Sequence, residues 1–236
     1  MSEKISIILC TFNEINYIEN TIKKLINSIP NLELVIVDDN STDGTIEKIK
    51  SISSNNKIKL IVRKKAKGLA SAFQRGIYEC TGEFIGWVDS NMEEIIPRFT
   101  EMKKLLYEDN DIIVLSRYVE GGGDERIALR SISSKVFNKF CSTVLRIPFK
   151  DYTSGLFLMK RSVLNNASFI PYGHGEFFIE FIYNAIKRGS KVLEIPFVQK
   201  KDNEISQSKS SPNTLYFFYL GVIYVFRVFI TILRRD

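Results

Sequence analysis

The sequence predicts an α/β protein in which a mostly parallel sheet is sandwiched by helices. Over residues 1–115, short apolar runs rich in β-branched side chains alternate with amphipathic stretches. Runs of the first kind are typical of buried parallel strands, and repeated β-α-β units place helices on both faces of the sheet. Acidic residues directly follow two of the runs, at the strand ends where open α/β sheets bind their ligands.

The elements of this first half follow from those patterns in chain order. The first helix illustrates them, because Ile18, Ile22 and Leu25 recur at helical spacing and share one face. Strands are predicted at residues 5–9, 34–37, 58–62, 83–88 and 111–115. Helices are predicted at residues 16–29, 45–51, 68–80 and 97–107.

The second half has a less regular pattern. The glycine-rich residues 121–125 indicate a flexible loop, and residues 200–213 are polar and expected to be mobile. We find no internal repeat, and we expect one domain over residues 1–211, followed by an apolar C-terminal helix at residues 212–236. Further strands are predicted at residues 155–159 and 192–195, and further helices at residues 132–145 and 176–188.

The composition is that of an ordinary folded protein with a basic surplus. The 236 residues carry a net charge of +6, which favours anionic substrates and an anionic membrane surface. No recognition motif points to nucleic acid, so we expect no nucleic-acid partner. Cys10, Cys80 and Cys141 have no metal-site or disulfide spacing and indicate a reduced, cytosolic protein. A strand that starts at residue 5 leaves no room for a signal peptide, and we expect none.

Two acidic clusters end two of the predicted strands. Asp38 and Asp39 follow the second strand, and Asp89 to Glu93 follow the fourth. Because both strand ends point at one crevice, the carboxylates would repel each other unless a cation lay between them. Oxygen ligands suit Mg²⁺ or Mn²⁺, and such a metal usually carries a substrate phosphate. The alternative is that these acids are loop residues or helix caps.

Two further segments are candidates for binding a nucleotide. Residues 11–14, Thr-Phe-Asn-Glu, follow the first strand, where Phe12 offers an apolar face to a base; a helix cap is the alternative. Lys67 precedes Gly68 at a helix start, where a phosphate would fit. The Rossmann glycine pattern is absent, which argues against a dinucleotide enzyme.

The order of these motifs carries a family resemblance. Over residues 4–211 the chain resembles family 2 glycosyltransferases of the GT-A fold. Within that family it is most similar to the dolichyl- and polyprenyl-phosphate sugar transferases, which include the dolichol-phosphate mannose synthases. The motifs that carry the likeness are residues 11–14, 37–41, 67–69, 87–89, 116–118 and 153–155.

The resemblance implies a metal site and a donor site. The family's Asp-x-Asp motif corresponds to Asp89, Asn91 and Glu93, so an amide replaces the middle carboxylate and a carboxylate follows. We expect these three residues to bind Mg²⁺ or Mn²⁺ and Asp89 to be catalytic; a weakened or lost metal site is the alternative. Residues expected to bind the nucleotide-diphosphate donor are Thr11, Phe12, Asn13, Glu14, Asp38, Asp39, Lys67, Ser90 and Lys209.

The resemblance also implies an acceptor-phosphate site. It places Arg117, Arg130 and Ser134 around the phosphate, with Arg117 contributing to catalysis; for either arginine an ordinary surface position is the alternative. Arginine suits this role because its planar fork binds two phosphate oxygens. Residues 206–209 resemble a late Gly-x-Ser-Lys segment, and in place of the arginine that usually precedes it the chain offers Lys201 or Lys200.

The C-terminal segment at residues 215–233 is apolar except for Arg227. A charge near the middle of a membrane span costs roughly 2.5–3.5 kcal/mol on insertion scales, so we favour a helix lying in the membrane interface. A full span, a helix packed on the domain and a self-association face are the alternatives. We therefore expect a peripheral or monotopic protein on the cytoplasmic face of a membrane.

These observations predict an inverting, metal-dependent glycosyltransferase that moves a sugar from a GDP- or UDP-sugar to polyprenyl phosphate. An ionised phosphate can attack the anomeric carbon without a general base, so the lone His174 is not expected to be catalytic. A transferase acting on a glycan hydroxyl is one alternative, and it would need a base such as Asp151, Glu176 or Glu180. A catalytically inactive homologue that binds nucleotide or lipid is the other.

Overall fold

The computed structural model describes residues 3–52, 57–201 and 214–234, with the side chains of the last helix described from residue 218 onward. The strands are β1 Ile5–Thr11, β2 Leu32–Asp38, β3 Ile58–Val62, β4 Phe84–Trp87, β5 Ile112–Ser116, β6 Gly123–Asp124, β7 Phe157–Lys160, β8 Val192–Pro196 and β9 Val198–Gln199. The α-helices are α1 Ile18–Ser28, α2 Thr45–Ile52, α3 Leu69–Glu79, α4 Arg98–Tyr107, α5 Ala128–Leu145, α6 Val163–Asn166, α7 Phe177–Lys187 and α8 Thr214–Leu233. One turn of 3₁₀-helix spans Glu93–Ile95.

The main sheet has seven strands in the order β3-β2-β1-β4-β7-β5-β8. Its strands pair in parallel, except that β7 runs antiparallel to both of its neighbours, with Met159 opposite Ile85 and Ile112. The predicted mostly parallel sheet between helices is therefore confirmed. Its parallel strands β1, β2, β4 and β5 end at one edge, which gathers the residues that follow them.

The core lies on both faces of the sheet. One apolar cluster joins the sheet to α3, α5 and α7, with Phe73, Phe157 and Phe178 fully buried. The other joins it to α1 and α4, where Leu25 and Phe99 are buried. Side chains of β1 alternate between the clusters, Ile8 facing the first and Ile7 the second, as the pleat of a strand requires.

The structure corrects three boundaries in the second half. The predicted loop at residues 121–125 contains β6, which pairs in parallel with β9 to form a separate two-stranded sheet. The strand predicted at residues 155–159 begins only at Phe157, because Gly155 has a φ of +66°, which a strand cannot accommodate. Helix α5 begins at Ala128, four residues before the predicted start.

Helix α8 packs against α7 and α5. Arg227, which argued at the sequence level for a membrane interface, is buried within the fold, and its neighbours Phe226 and Phe229 are exposed. Among the described residues, no helix combines the length and apolarity that a membrane crossing needs. The predicted mobile segment at residues 200–213 lies, apart from its first two residues, outside the described part of the chain.

Candidate active site

A cavity of about 1700 Å³ opens at the carboxyl edge of the parallel strands and continues between α5 and α8. Its polar end is lined by residues that follow β1, β2, β4 and β5. Phe12, Asp39, Asp89 and Arg117 each come from a different strand. The two acidic clusters of the sequence therefore contribute to one cavity wall, as expected for an open α/β sheet.

Asp38 and Asn13 lie behind that wall and connect two loops. Asp38 is fully buried; it accepts hydrogen bonds from Thr11 Oγ1 at 2.7 Å and from the backbone N–H and hydroxyl of Ser41, both at 2.7 Å. Asn13 Oδ1 accepts from the Thr42 N–H at 2.9 Å. Neither of the two lines the cavity. In this structure their hydrogen bonds connect the loops that follow β1 and β2. Their contact with a nucleotide donor stays a prediction.

Asp39 is held by Arg63, a residue that the sequence analysis did not select. Arg63 Nε donates to Asp39 Oδ1 at 2.6 Å, and the Gly68 N–H donates to Asp39 Oδ2 at 2.8 Å. Arg63 also donates to the Ser71 hydroxyl at 2.9 Å. The carboxylate of β2 is thus connected to the start of α3. Nothing local in the sequence indicated the pair, because its members lie 24 residues apart.

An aromatic ring and a cation stand beside Asp39. The Phe12 ring is 43% exposed, and the Lys67 ammonium lies 5.1 Å from its centroid. Both residues line the cavity, as do Thr11, Glu14 and Ser90. An exposed ring, a lysine and an anchored carboxylate offer stacking, charge and hydrogen bonding within one short stretch of wall.

Asp89 is a carboxylate with a raised pKa at this end of the cavity. Burial, followed by the nearby Glu14 carboxylate, raises the pKa of Asp89 to about 6. The neighbouring Cys10 thiol has its pKa raised by burial and then by Asp89 and Asp39. Partly buried carboxylates that gather without a balancing cation destabilise their own ionised forms, so this wall favours a bound cation.

The protein side chains on this wall could hold a divalent metal only if substrate phosphates and water completed its coordination. No group of three or more His, Cys, Asp or Glu side chains in the described residues is placed to hold a metal ion. Asp89 and Asn91 line the cavity, whereas Glu93 lies in the 3₁₀ turn and does not line it; the neighbouring Glu94 does. One or two carboxylates completed by substrate phosphates and water are a usual magnesium site. Asp89 with Asn91 fits that pattern, and the role of Glu93 as a ligand stays a prediction.

Trp87, the residue two before Asp89, has an unpaired polar atom on the wall. It lines the cavity, and its ring meets Phe73 and Phe177 edge-on at centroid distances of 5.4 and 5.8 Å. Its indole Nε1 is buried and has no hydrogen-bond partner among the described residues. A buried donor without a partner is costly, and here it lies next to the presumed phosphate site.

Arg117 is buried in a tight ion pair at the far side of the polar end. It is 6% exposed, and its Nε and Nη2 donate to the two oxygens of Asp151 at 2.9 and 2.6 Å. Asp124 lies 3.6 Å from Nη1. Burial alone would lower the pKa of the Arg117 guanidinium, but Asp151 raises it above its usual value. Arg117 therefore stays charged, and it is not the surface arginine that the sequence left open.

Three of the other residues expected to bind the acceptor phosphate line the same cavity. Ser134 accepts a hydrogen bond from the Tyr118 hydroxyl at 2.9 Å and lies 3.2 Å from Thr153 Oγ1. Arg130 and Lys201 line the cavity together with Lys200. Lys209 falls in the part of the chain that the structure does not describe.

Arg126 also lines the cavity, and the sequence analysis missed it. It pairs with both oxygens of Asp124 at 2.8 and 2.6 Å, so Asp124 lies between two arginines. Strand β6 places Asp124 there by pairing with β9. The spacing of two residues between Asp124 and Arg126 could have indicated an ion pair. Its place on the cavity wall could not be predicted, because residues 121–125 were expected to form a loop.

The outer part of the cavity is apolar. Ile132 and Val136 of α5 line one side and are 62% and 65% exposed, and Phe218 and Val222 of α8 line the other. Gly221 lies between the latter two, and a Cβ built there meets no atom within 4 Å. The groove between the two helices therefore connects the arginine cluster with an exposed apolar surface.

None of the three carboxylates considered as general bases lines the cavity, and each has other contacts. Asp151 is bound by Arg117, and Glu180 by Arg227 and Arg234. Glu176 accepts a hydrogen bond from the His174 N–H at 2.8 Å. His174 itself lines the cavity, and burial lowers the pKa of its imidazole despite the nearby Glu176.

Comparison with known proteins identifies the class to which this fold and site belong. The family model for glycosyl transferase family 2 matches residues 6–167, and the chain belongs to this family. The crystal structure of glucosyl-3-phosphoglycerate synthase from Mycobacterium tuberculosis with Mn²⁺, UDP and phosphoglyceric acid superimposes with a TM-score of 0.71 over 98% of this chain and 78% of that one. At 17% identity this likeness concerns the fold alone, and it confirms the expected GT-A architecture.

Among curated relatives, the chain is 33% identical over 207 residues to a dolichol-phosphate mannosyltransferase of Pyrococcus furiosus, covering 82% of this chain and 56% of that protein. It is 29% identical over 143 residues to a dolichol-phosphate mannosyltransferase of Saccharomyces cerevisiae, covering 58% of this chain and 51% of that protein. The chain thus spans about half the length of the relatives it matches. The resemblance stated from the sequence motifs is confirmed.

Proposed function

We propose that this protein transfers a sugar, with inversion, from a nucleotide-diphosphate sugar to the phosphate of a polyprenyl phosphate. One observation carries the proposal. A single cavity joins the carboxylates at the strand ends, a cluster of arginines and an apolar groove between α5 and α8. The first suits a metal-bound diphosphate, the second a phosphate and the third a hydrocarbon chain.

The donor nucleotide would occupy the wall at the ends of β1 and β2. Phe12 would stack on the base, and Asp39, held in place by Arg63, would accept hydrogen bonds from base or ribose. Lys67 would meet the phosphates. UDP in the solved structure of similar fold and the mannosyltransferase names of the relatives support a nucleotide-sugar donor that carries GDP or UDP.

Asp89 and Asn91 would hold a Mg²⁺ or Mn²⁺ ion together with the donor diphosphate. When bound, the metal would stabilise the negative charge that develops on the leaving nucleoside diphosphate. The raised pKa of Asp89 supports this assignment, because a cation would stabilise the ionised form that burial and Glu14 disfavour.

The acceptor phosphate would lie against Arg130, Arg126 and Ser134, with Arg117 as a fixed charge behind them. A phosphate oxygen forms the new bond to the anomeric carbon, and the bond from that carbon to the diphosphate breaks, leaving its electron pair on the nucleoside diphosphate. This single displacement inverts the anomeric centre. It requires no proton transfer, which agrees with the finding that Asp151, Glu176 and Glu180 do not line the cavity.

The prenyl chain would leave the cavity through the groove between α5 and α8. Side chains exposed beside that exit form an apolar surface, and basic residues flank the polar end of the cavity. Such a surface suits contact with an anionic membrane, on its cytoplasmic face, without a membrane crossing. The exposed apolar side chains of the two helices, among the described residues, are Leu129, Ile132, Val136, Phe218, Tyr219, Val222, Phe226, Phe229, Ile230 and Leu233.

The proposal is tested by measuring transfer of labelled sugar from GDP-mannose and UDP-glucose to a short polyprenyl phosphate, with Mn²⁺, with Mg²⁺ and with a chelator. The matched control acceptor is the corresponding polyprenol, which keeps the chain and lacks the phosphate. We expect transfer to the phosphate alone, dependent on metal. Transfer to a glycan hydroxyl without transfer to the lipid phosphate would contradict the proposal.

A further inference from the structure

The apolar helix α8 carries a buried charge that the proposed reaction does not use. Arg227 is 8% exposed, and its Nη1 donates to Glu180 Oε2 of α7 at 2.8 Å. Its Nη2 donates to the carbonyl oxygen of Tyr172 at 2.7 Å and lies 3.9 Å from Glu176 Oε1. One guanidinium therefore contacts both α7 and the segment just before it.

That segment, residues 171–175, forms part of the cavity wall. His174 and Gly175 line the cavity, and so does Tyr224 of α8, one helical turn before Arg227. The Tyr224 hydroxyl lies 2.6 Å from the point where a Cβ on Gly175 would be. Helix α8 thus contacts the segment twice, through Arg227 at Tyr172 and through Tyr224 at Gly175.

Glu176 completes the arrangement from the side of α7. It is 3% exposed, and one of its oxygens accepts a hydrogen bond from the backbone N–H of His174 at 2.8 Å. Gly173 has a φ of +92°, and a Cβ on it would come within 1.7 Å of the other oxygen. The Glu176 carboxylate is therefore packed directly against the backbone of the segment, and Arg227 lies 3.9 Å from its Oε1.

We propose that Arg227 is a positioning residue, which sets residues 171–175 and the imidazole of His174 against the cavity through the Tyr172 carbonyl, Glu180 and Glu176. Helix α8 is then part of the site itself. Its docking on α7 determines the shape of the cavity wall next to the acceptor groove. The inference depends on the proposed function in one respect, namely that the ligand whose binding Arg227 affects is the polyprenyl phosphate acceptor.

The test exploits the fact that His174 is the only histidine of the chain. The imidazole Cε1–H of this one histidine gives a single cross-peak in a proton-carbon NMR spectrum, and that resonance reports on the segment without any assay of activity. The first variant is Arg227→Gln. The second is the pair Arg227→Met and Glu180→Gln, which removes both buried charges together and so avoids leaving one unpaired. The third is Tyr224→Phe, which removes only the hydroxyl that faces Gly175.

The matched control is Arg234→Gln. Arg234 also pairs with Glu180, at 3.0 Å, but its side chain is 46% exposed. We expect the control to leave the His174 resonance unchanged. The Arg227 variants should shift it and raise the KM for the acceptor about tenfold, with kcat and donor affinity little changed, because misplacing a wall of the site weakens positioning. Arg227→Lys should recover part of the loss.

An unchanged His174 resonance in the folded double variant and in Tyr224→Phe would overturn the inference. An equal loss of donor affinity, acceptor use and kcat would overturn it as well, since that pattern indicates general destabilisation. Failure of the wild-type protein to use polyprenyl phosphate is a different result. It would remove the proposed function, while the NMR measurement would still decide whether Arg227 sets the segment.

Discussion

The two ends of the cavity are built in different ways. At the donor end, the part of the cavity proposed to bind the nucleotide sugar, Phe12, Asp39 and Asp89 lie just after strand ends, and hydrogen bonds such as that between Thr11 and Asp38 connect the neighbouring loops. At the acceptor end, the wall combines a small second sheet, helix α5 and helix α8, which lie far apart in sequence. The end proposed to bind the donor is polar and locally encoded, whereas the end proposed to bind the acceptor is assembled from distant segments and is largely apolar and exposed. Changes at the first end should therefore affect chemistry, and changes at the second should affect acceptor recognition.

The largest expected effect is at the donor end. Asp89→Ala should lower transfer about a thousandfold or more while the fold persists, because it removes a metal ligand and its stabilisation of the leaving group. Turnover under saturating donor and Mn²⁺, together with circular dichroism, measures this. Asp109→Ala is the matched control, because that carboxylate is exposed, pairs with Lys191 and does not line the cavity. Near-normal turnover of a folded Asp89→Ala would rule out the metal-site assignment.

The second effect should be confined to the acceptor end. Arg130→Ala should raise the KM for polyprenyl phosphate roughly ten- to a hundredfold, because hydrogen bonds to charged groups contribute about 1.5–3 kcal/mol each. Donor affinity, measured by calorimetry, should stay nearly unchanged, and Arg130→Lys should recover only part of the loss. Arg146→Ala, at the opposite end of α5, is the control. Equal losses in donor and acceptor binding would place Arg130 at the donor diphosphate instead.

The same comparison can be made with Arg117, which differs from Arg130 in burial. Arg117→Ala leaves Asp151 buried without its partner, which should cost about 3–5 kcal/mol of folding free energy in addition to any loss of acceptor use. Urea unfolding of the two alanine variants separates these effects. If Arg117→Ala proved as stable as the wild type, the ion pair would have no structural role.

A smaller effect concerns stability and pH at the donor end. The folded pKa of Asp89, about 6, lies above its value of 3.8 in a model peptide, so its contribution to stability is present below pH 3.8 and is lost as the pH rises through 6. In the presence of a chelator, Asp89→Asn should therefore stabilise the protein at pH 7.5 by about 1–2 kcal/mol, after allowance for partial exposure. This gain should vanish near pH 4.

Thermal unfolding at both pH values measures this effect. Asp43→Asn is the control of opposite sign, because hydrogen bonds from Thr45 and Ile15 outweigh burial and lower the pKa of Asp43. That variant should be less stable at pH 7.5. A destabilised Asp89→Asn at pH 7.5 would show that Asp89 holds the fold together and is not a strained site carboxylate.

The smallest effect should come from the groove. Gly221→Leu should raise the acceptor KM by about fivefold, since it puts an apolar side chain into space that a Cβ finds empty, whereas Gly221→Ala should do less. Helix stability should increase slightly in both, because glycine disfavours a helix by about 1 kcal/mol relative to alanine. Kinetics with acceptors of different chain length measure the change. An unaltered acceptor KM for Gly221→Leu would show that the prenyl chain of the acceptor does not lie in this groove.

The contrast between the two ends also explains what the sequence could predict. The strands that carry the donor end have apolar runs with polar residues at their ends, so the sequence could place Phe12, Asp39 and Asp89 at the edge of the sheet where the cavity opens. Contacts such as Arg63 with Asp39 and Arg117 with Asp151 join residues 24 and 34 positions apart, and no local pattern encodes them. The antiparallel position of β7 between β4 and β5 could not be predicted for the same reason, because no local pattern encodes which strands pair.

Helix α8 shows the limit most clearly. A long apolar segment with one arginine has the same pattern whether that arginine faces headgroups or a buried glutamate. Only the tertiary pairing with Glu180, 47 residues away, distinguishes the two. The domain boundary predicted at residue 211 was likewise based on composition alone. In the structure, α8 packs on α7 and its residues line the cavity.

Trp87 gives the site a property that has nothing to do with catalysis. It is the only tryptophan of the chain, it lies on the cavity wall, and its indole N–H has no partner among the described residues. All tryptophan emission therefore originates beside the presumed diphosphate position. A ligand that accepts a hydrogen bond there, or that excludes water from the wall, will change the wavelength and intensity of that emission. The protein thus contains a built-in optical reporter, and titrations of donor, metal and acceptor can be followed in unlabelled protein.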